Sequence, residues 1–204
     1  MTVIMYTVKR EKRREIRMKV SREQAAQNRE RILHAAAQLF RERGFEGIGV
    51  ADLMKEAGLT HGGFYGHFSS KDDLIAQACA RELTRSLAHW SKVGERGSGD
   101  RLSAIAAVYL TSTHRDNPGT GCVLAALGPD VSRQGPAVRH AVTDYVRSVC
   151  DLLARLVPGK SKAARGKAIG TYATLVGAMV LARAVDDRAL SQEILDAGLA
   201  SVKA

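Results

Sequence analysis

The sequence predicts an all-α protein of about nine helices. Its 204 residues suffice for one domain or two small ones with a substantial core. Hydrophobic residues make up 45% of the chain but aromatic residues only 5%, so small and aliphatic side chains must fill the interior, which is easiest between helices. Apolar residues recur at helical spacing, and no segment shows the alternation of a strand.

The amino-terminal residues 1–20 form a basic arm that the helical pattern does not include. Seven cations and two acids lie in the first nineteen residues, and the whole chain has a net charge of +10. Such an arm can follow phosphates or enter a minor groove. It can equally be a solvated, disordered tail, or precede a true start at Met18, and the sequence leaves these alternatives open.

Four helices are predicted in the first part of the chain. Ser21 caps a helix to about Arg43, where Gly44 ends it. A second helix begins after Gly49 and ends at Gly58, because glycine accepts the left-handed conformation that follows a helix. Thr60 begins a third, very short helix. The segment Ser69-Ser70-Lys71-Asp72-Asp73 combines a cap with acidic first-turn residues and starts a fourth helix toward Val93.

Five further helices are predicted after a loop at Gly94–Gly99. The clearest of them lies between a Gly135-Pro136 start and a Pro158-Gly159 stop. The predicted ranges are 100–115, 121–133, 136–157, 161–185 and 188–202.

Two short helices separated by Gly58-Leu59, after a longer supporting helix, have the layout of a helix-turn-helix. Many helical domains contain a glycine turn, so the layout alone permits another interpretation. The segment from Ala51 to Leu74, with Gly58-Leu59-Thr60-His61-Gly62-Gly63-Phe64-Tyr65-Gly66-His67-Phe68 at its centre, resembles the DNA-binding signature of the tetracycline-repressor (TetR) family. Residues 21–71 are therefore expected to bind DNA, and residues 72–204 to bind a ligand and to dimerise.

The glycines in the third predicted helix can be explained physically. With Phe64 and Phe68 facing inward, Gly62 and Gly66 lie on the opposite face of the third helix. A glycine inside a helix costs about 1 kcal/mol relative to alanine, and close approach of the backbone to another molecule would explain that cost. The sequence thus favours a surface on which the bare backbone touches DNA.

The resemblance implies a role for each residue of this surface. It assigns base contacts to His61, Gly62 and Tyr65, and mostly phosphate contacts to Thr60, Gly63, His67 and Lys71. The alternative is that Tyr65 and His67 merely complete a small core. The sequence departs from the family pattern at Gly63 and Gly49, where hydroxyl residues are common, so more of the recognition is expected to come from DNA shape and from the arm.

One copy of such a short DNA-binding helix makes few contacts, so two copies in a homodimer are expected on a palindromic operator. The last two helices are the candidate interface, and the family resemblance agrees. The alternative is a monomeric core that uses small residues for tight packing. The candidate interface residues are Ala173, Leu175, Val176, Gly177, Ala178, Met179, Leu181, Ala182, Ile194, Leu195, Leu199 and Val202.

The resemblance also implies a ligand cavity among the middle helices. Amphipathic side chains often line such cavities, and about two of Trp90, Tyr109, His114, Tyr145 and Tyr172 are expected to do so. Cys122 follows Thr120-Gly121 at a predicted helix start, where the helix dipole would favour its thiolate. A group of TetR-family members that respond to reactive compounds is similar in carrying a Gly-Cys pair there. A buried, inert cysteine is the alternative.

Several function classes fit the sequence poorly. Three unpaired cysteines and the lack of an export signal favour a cytoplasmic protein, and no segment suits a lipid-facing span. Phosphate loops, paired metal-ligating histidines and nucleophile motifs are missing, so we expect no enzyme, metal or cofactor. The sequence therefore predicts a DNA-binding repressor released by an unknown small molecule. The competing hypothesis is a helical thiol-redox or small-molecule-binding protein without DNA function.

Overall fold

The computed structural model describes residues 2–96, 100–157 and 162–203, and every regular element within these ranges is a helix. This confirms the predicted all-α class. Two 3-10 helices, His61–Gly66 and Pro118–Thr120, interrupt the α-helical series. The α-helices are α1 (Thr2–Arg43), α2 (Val50–Glu56), α3 (Lys71–Arg96), α4 (Arg101–Tyr109), α5 (Ser112–Asp116), α6 (Val123–Ser132), α7 (Pro136–Leu156), α8 (Lys162–Ala184) and α9 (Arg188–Lys203).

Helix α1 is longer than predicted, since it begins at Thr2 and contains Ser21 rather than being capped by it. The Lys, Arg and Glu residues of the basic arm are good helix formers, and no proline or glycine separates them from the helix that follows. Its carboxyl end is as predicted. Gly44 has φ +76°, and its N–H donates to the Phe40 carbonyl at 2.8 Å.

Helix α2 ends in the glycine motif that the sequence predicted. Gly58 has φ +65° and donates its N–H to the Lys55 carbonyl at 2.9 Å, while the Leu59 N–H donates to the Met54 carbonyl at 2.8 Å. This pair of bonds is the Schellman arrangement, which satisfies the last carbonyls of a helix and turns the chain sharply. The turn sets the direction in which residues 61–66 leave α2.

Helix α3 begins as predicted, with the Ser70 hydroxyl accepting the Asp73 N–H at 3.0 Å and the Asp73 carboxylate accepting the Ser69 N–H at 2.9 Å. It continues to Arg96, so Gly94 lies inside the helix rather than in the predicted loop. Residues 97–99 of that loop, and the predicted Pro158-Gly159 stop, lie outside the described ranges.

The predicted helix over residues 100–115 is wrong, because the chain breaks it into α4 and α5. Leu110 leaves helical geometry with ψ 67°, and Thr111 is extended. The Thr111 hydroxyl then accepts the His114 N–H at 3.1 Å and caps α5. Helical propensity alone cannot show this break, since no glycine or proline marks it.

The carboxy-terminal body packs around α3, α7 and α8. Helix α3 lies against α1 on one side and α7 on the other, and α8 packs between α7 and α9. The core continues from the amino-terminal helices into this body through buried residues such as Leu74, Leu153, Leu175 and Met179. Within the described ranges, no helix has both the length and the apolar character needed to cross a bilayer.

Candidate nucleic-acid interface

The His61–Gly66 segment, called the reader below, is supported by two buried aromatic side chains. Phe64 and Phe68 are 1% and 2% exposed, and their ring centroids lie 5.7 Å apart. The Arg29 guanidinium carbon lies 5.1 Å from the centroid of the Phe68 ring, which ties α1 to the residues that directly follow the reader. Burial of one side of such a short segment fixes which residues it presents to solvent.

The reader forms a 3-10 helix rather than the α-helix that the sequence predicted. At three residues per turn, Gly62 and Tyr65 lie on the same side of the segment. The Gly63 N–H donates to the Thr60 carbonyl at 3.0 Å, and the His67 N–H donates to the Phe64 carbonyl at 2.9 Å. The tighter turn keeps Phe64 directed into the core while the backbone of the glycines stays outside.

The outer side of the reader is bare backbone beside one large side chain. A methyl group built on Gly62 or Gly66 would meet no atom within 4 Å. Tyr65 is 69% exposed, so the alternative that it completes the core is wrong. Its ring packs edge-on against Phe64 and, more loosely, against His61, at centroid distances of 5.3 and 6.5 Å. These contacts hold the exposed ring in an outward position.

The other predicted DNA contacts surround this surface. Thr60 and His61 are exposed, while His67 and Lys71 are half-buried. The Thr60 hydroxyl makes no capping bond to the reader. The Lys71 ammonium lies 3.8 Å from a carboxylate oxygen of Glu46, which is itself highly exposed, so this weak pair leaves the cation open to a phosphate.

Gly63 differs from its two neighbouring glycines. A methyl group there would lie 3.6 Å from the Met54 terminal carbon and 3.8 Å from the Thr60 hydroxyl, which is ordinary contact. Gly49, the other departure from the family pattern, precedes α2 with an extended backbone and provides no side-chain cap. Both positions therefore lack the hydroxyl that could reach a phosphate.

A cavity of about 380 Å³ lies in the carboxy-terminal body. Trp90, Tyr109, His114 and Tyr145 line it, so four of the five amphipathic candidates reach the cavity where the sequence analysis expected about two. The Trp90 ring centroid lies 5.5 Å from that of Tyr109 and 5.7 Å from that of Tyr172, which lies behind this wall. These four lining residues come from α3, α4, α5 and α7, and Tyr172 of α8 packs behind them.

The tyrosine hydroxyls of this wall are largely buried from solvent. Burial, with a smaller contribution from nearby Cys122, raises the pKa of Tyr109 well above its ordinary value. Burial likewise raises the pKa of Tyr145 to about 12, although its hydroxyl lies 2.9 Å from the Ser86 hydroxyl. Within the described residues, the Tyr109 hydroxyl has no nitrogen or oxygen hydrogen-bond partner. Because Tyr109 lies in the cavity wall, this hydroxyl is available to a polar ligand.

Cys122 lies in the wall of the cavity, directly before the first residue of α6. Its N–H donates to His114 Nε2 at 2.9 Å, and His114 Nδ1 lies 2.7 Å from the Tyr109 carbonyl. These bonds require a neutral imidazole with its proton on Nδ1. Burial lowers the pKa of His114 and so favours that neutral form.

Two arginines that were not predicted from the sequence lie near this cysteine, buried Arg41 and half-buried Arg183. Arg183 donates to the carbonyls of His114 and Arg115 at 2.6 and 3.1 Å. Arg41, near the end of α1, donates to the Gly119 carbonyl at 2.7 Å. An arginine among apolar residues, as in Leu39-Phe40-Arg41 and Leu181-Ala182-Arg183, is the signal that could have indicated them.

The predicted dimer residues divide by exposure into three groups: buried, exposed and half-buried. Leu175, Ala178, Met179, Ala182, Leu195 and Val202 are buried within the protomer, so for these the tight-core alternative applies. Ala173 and Leu181 are exposed on α8. Ile169 and Val180 are also exposed there, and Gly166, Gly170 and Gly177 have open space beside their backbones. An apolar stripe with small residues therefore remains on α8. Val176, Gly177, Ile194 and Leu199 are half-buried.

Comparison with known proteins agrees with this geometry. The family model described as "Bacterial regulatory proteins, tetR family" matches residues 32–78, which include the reader. The chain is 28% identical over 130 residues to the HTH-type transcriptional repressor NemR of Escherichia coli, covering 62% of this chain and 65% of NemR. An HTH-type transcriptional regulator of Staphylococcus aureus is 32% identical over 97 residues, covering 47% of this chain and 52% of that protein. The matches thus span less than two thirds of these curated relatives.

Solved structures extend the likeness over most of the fold. The crystal structure of the reduced form of E. coli NemR superposes with a TM-score of 0.74 at 28% identity, covering 86% of this chain and 95% of that one. A TetR-family regulator from Agrobacterium tumefaciens superposes with a TM-score of 0.73 at 24% identity, covering 87% and 98%, and shows the shared fold alone. Residues 32–78 thus match the model of the TetR family of bacterial regulators, and most of the chain shares the fold of solved TetR-family structures.

Proposed function

We propose that the protein is a homodimeric repressor that binds a palindromic DNA operator and is released by a small molecule bound in its cavity. The observation that carries the proposal is the reader, where open Gly62 and Gly66 flank an exposed Tyr65 on a buried Phe64–Phe68 base. An exposed aromatic ring beside bare backbone suits contact with base edges and phosphates in a groove. A role as an enzyme has no support from the family, and among the described residues no cluster of three metal-ligating side chains occurs.

The proposed DNA contacts follow the family resemblance. His61, Gly62 and Tyr65 face the bases, while Thr60, Gly63, His67 and Lys71 hold phosphates. The basic arm, residues 1–20, adds charge near the duplex, since it continues the same helix that supports the reader.

The proposed dimer forms through the apolar stripe of α8, with α9 beside it. Exposed Ile169, Val180 and Leu181 supply apolar area, and the adjacent glycines allow a partner helix to approach closely. Two readers related by a twofold axis would then contact half-sites about 34–36 Å apart, or a multiple of that distance.

The direct test compares Tyr65→Ala with His140→Ala. Both side chains are exposed, but His140 lies on α7 and pairs only loosely with Asp144 at 3.2 Å. We expect Tyr65→Ala to lower the affinity for an operator duplex, recovered from genomic fragments on the parent protein, by about 1–3 kcal/mol without unfolding. His140→Ala should bind as the parent does. Equal affinity of parent and Tyr65→Ala would refute the assigned reader.

A second function, sensing of a thiol-reactive compound, is favoured by the position of Cys122 in the cavity wall. The two other cysteines are poorer targets, because burial raises the pKa of Cys79 to about 12 and also raises the pKa of Cys150. Iodoacetamide is therefore expected to modify Cys122 first, as read by peptide mass spectrometry, and to weaken operator binding. The Cys122→Ser variant should be insensitive. Operator affinity that survives full modification of Cys122 would exclude sensing.

A further inference from the structure

The carboxyl end of α1 is hydrogen-bonded to the segment that leads to Cys122, residues 118–122. Arg41 is buried on α1, and its Nε donates to the Gly119 carbonyl at 2.7 Å. Its Nη1 lies 3.4 Å from a carboxylate oxygen of Glu82 on α3. One guanidinium therefore joins three parts of the chain: the helix that supports the reader, the Pro118–Thr120 turn and α3.

At Gly119 the backbone of the turn packs directly against side chains of α1. A Cβ at this position would overlap the Glu42 carboxylate and lie 3.0 Å from Gln38 Cγ. Residues 38, 41 and 42 all lie on α1, one helical turn apart at most, so the turn rests on a single face of that helix. A shift of the turn must therefore displace either the α1 side chains or α1 itself.

The other side of the same segment forms the cavity wall. Thr120, Gly121 and Cys122 line the cavity, and so does Glu82, the partner of Arg41. The Cys122 N–H is bonded to His114 Nε2 at 2.9 Å, which fixes the end of the segment that faces the cavity. Residues 118–122 thus have α1 on one side and the cavity on the other.

Partial loss of the Arg41 contacts with Gly119 and Glu82 would be energetically costly. The guanidinium side chain is only 6% exposed and Glu82 only 14%, so little water is present to replace a lost partner. A buried arginine that loses its carbonyl or carboxylate must find another acceptor or become hydrated. Movement of residues 118–122 is therefore passed to α1 as a change between discrete arrangements.

A displacement of α1 should also displace the reader, because several contacts join them. Besides the Phe68 contact of Arg29, helix α2 packs against both α1 and the reader. The Phe40 and Phe45 rings, 5.4 Å apart, hold the loop that leads to α2 against the carboxyl end of α1, next to Arg41. We infer that Arg41 is the positioning residue through which the 118–122 segment couples the cavity to the reader. This inference rests on the proposed function, because it requires that the reader binds DNA and that the cavity responds.

The test uses Trp90, the single tryptophan of the chain, which lies in the cavity wall. Coupling between two sites is reciprocal, so operator binding must change the cavity if the cavity controls operator binding. We expect acrylamide quenching of Trp90 to differ between free and operator-bound parent protein. In Arg41→Met that difference should be lost, while labelled-duplex anisotropy still detects binding.

Two further variants separate coupling from stability. Arg115→Met removes another buried arginine, whose partners Asp116 and Ser191 lie on α5 and α9, and should keep the Trp90 response. Arg41→Lys keeps the charge, but an ammonium group cannot bond the Gly119 carbonyl and the Glu82 carboxylate together as the guanidinium does. It should therefore restore only part of the Trp90 response. This variant replaces Arg41→Met in the experiment if Arg41→Met does not fold.

The outcomes distinguish this inference from the proposed function. Failure of the parent protein to bind any duplex would refute the proposed function. Operator binding by the parent without a change at Trp90 would overturn the coupling and leave DNA binding intact. A full Trp90 response in folded Arg41→Met would likewise overturn the role of Arg41.

Discussion

Replacing Gly62 with alanine should stabilise the protein and weaken its DNA binding at the same time. A methyl group at this position meets no atom within 4 Å, and φ of Gly62 lies outside the left-handed region, so the free protein should accept it without strain. Removing the backbone freedom of a helical glycine is worth about 0.5–1 kcal/mol of stability. For a chain of this size that corresponds to a rise in Tm of about 1–4 °C.

The same methyl group should obstruct DNA, because the reader is proposed to bring its bare backbone against the duplex. Loss of a close contact typically costs about 1–3 kcal/mol, and two readers in a dimer should together raise the Kd more than about tenfold. Thermal unfolding and duplex anisotropy, measured on one preparation, give both quantities. Unchanged affinity in a stabilised Gly62→Ala would refute the close backbone approach.

Gly128→Ala is a control for a methyl group placed far from the reader. Gly128 lies inside α6, and a methyl group there meets no atom within 4 Å apart from its chain neighbours. Because Gly128 directly precedes Pro129, alanine should bring no gain in stability, but the variant should keep its affinity for DNA. A loss of DNA affinity in both variants would show that obstruction of the reader is not the cause.

Three other perturbations test the dimer, the arm and an ion pair. Leu181→Glu places a charge on the exposed α8 stripe and should convert dimer to monomer in sedimentation, whereas an unchanged mass would exclude this face. Deleting residues 1–17 should flatten the dependence of log affinity on log salt if the arm contacts phosphates, and an identical slope would exclude such contacts. Hydrogen bonds from Arg115 and Arg188 lower the pKa of Asp116 from 3.8 to about 2, so its stabilisation is present above the ordinary pKa and is lost as pH falls toward 2. Asp116→Asn should therefore show a smaller loss of Tm over that interval, and a parallel acid profile would contradict the linkage.

Much of the amino-terminal architecture could be predicted because its signals are local. Gly44 and Gly58 both adopt the positive φ that ends a helix, and Ser70 with Asp73 begins α3 as the residue pattern indicated. Phe64 and Phe68 likewise face inward as their spacing required. Each of these features is decided within a few residues of chain, where backbone sterics and nearby hydrogen bonds dominate.

The parts that could not be predicted depend on contacts between distant residues. The break between α4 and α5 is fixed by Thr111 and by His114, whose ring is held between the Tyr109 carbonyl and the Cys122 N–H. The buried state of Arg41 depends on an acceptor 78 residues away. On α8, the hydrophobic pattern could not separate Met179, which is buried in the protomer, from exposed Leu181. Helical periodicity indicates which residues are apolar but not which neighbour covers them.

Hydroxyl-radical footprinting of the operator duplex shows whether both readers of one dimer lie against DNA. If two readers of one dimer lie against DNA, the parent protein should protect two backbone patches on one face of the duplex, about 34–36 Å apart or a multiple of that distance. Tyr65→Ala, at protein concentrations scaled to its weaker affinity, should lose protection inside both patches together. Protection confined to one patch, or a pattern that Tyr65→Ala leaves unchanged, would contradict this placement of the readers.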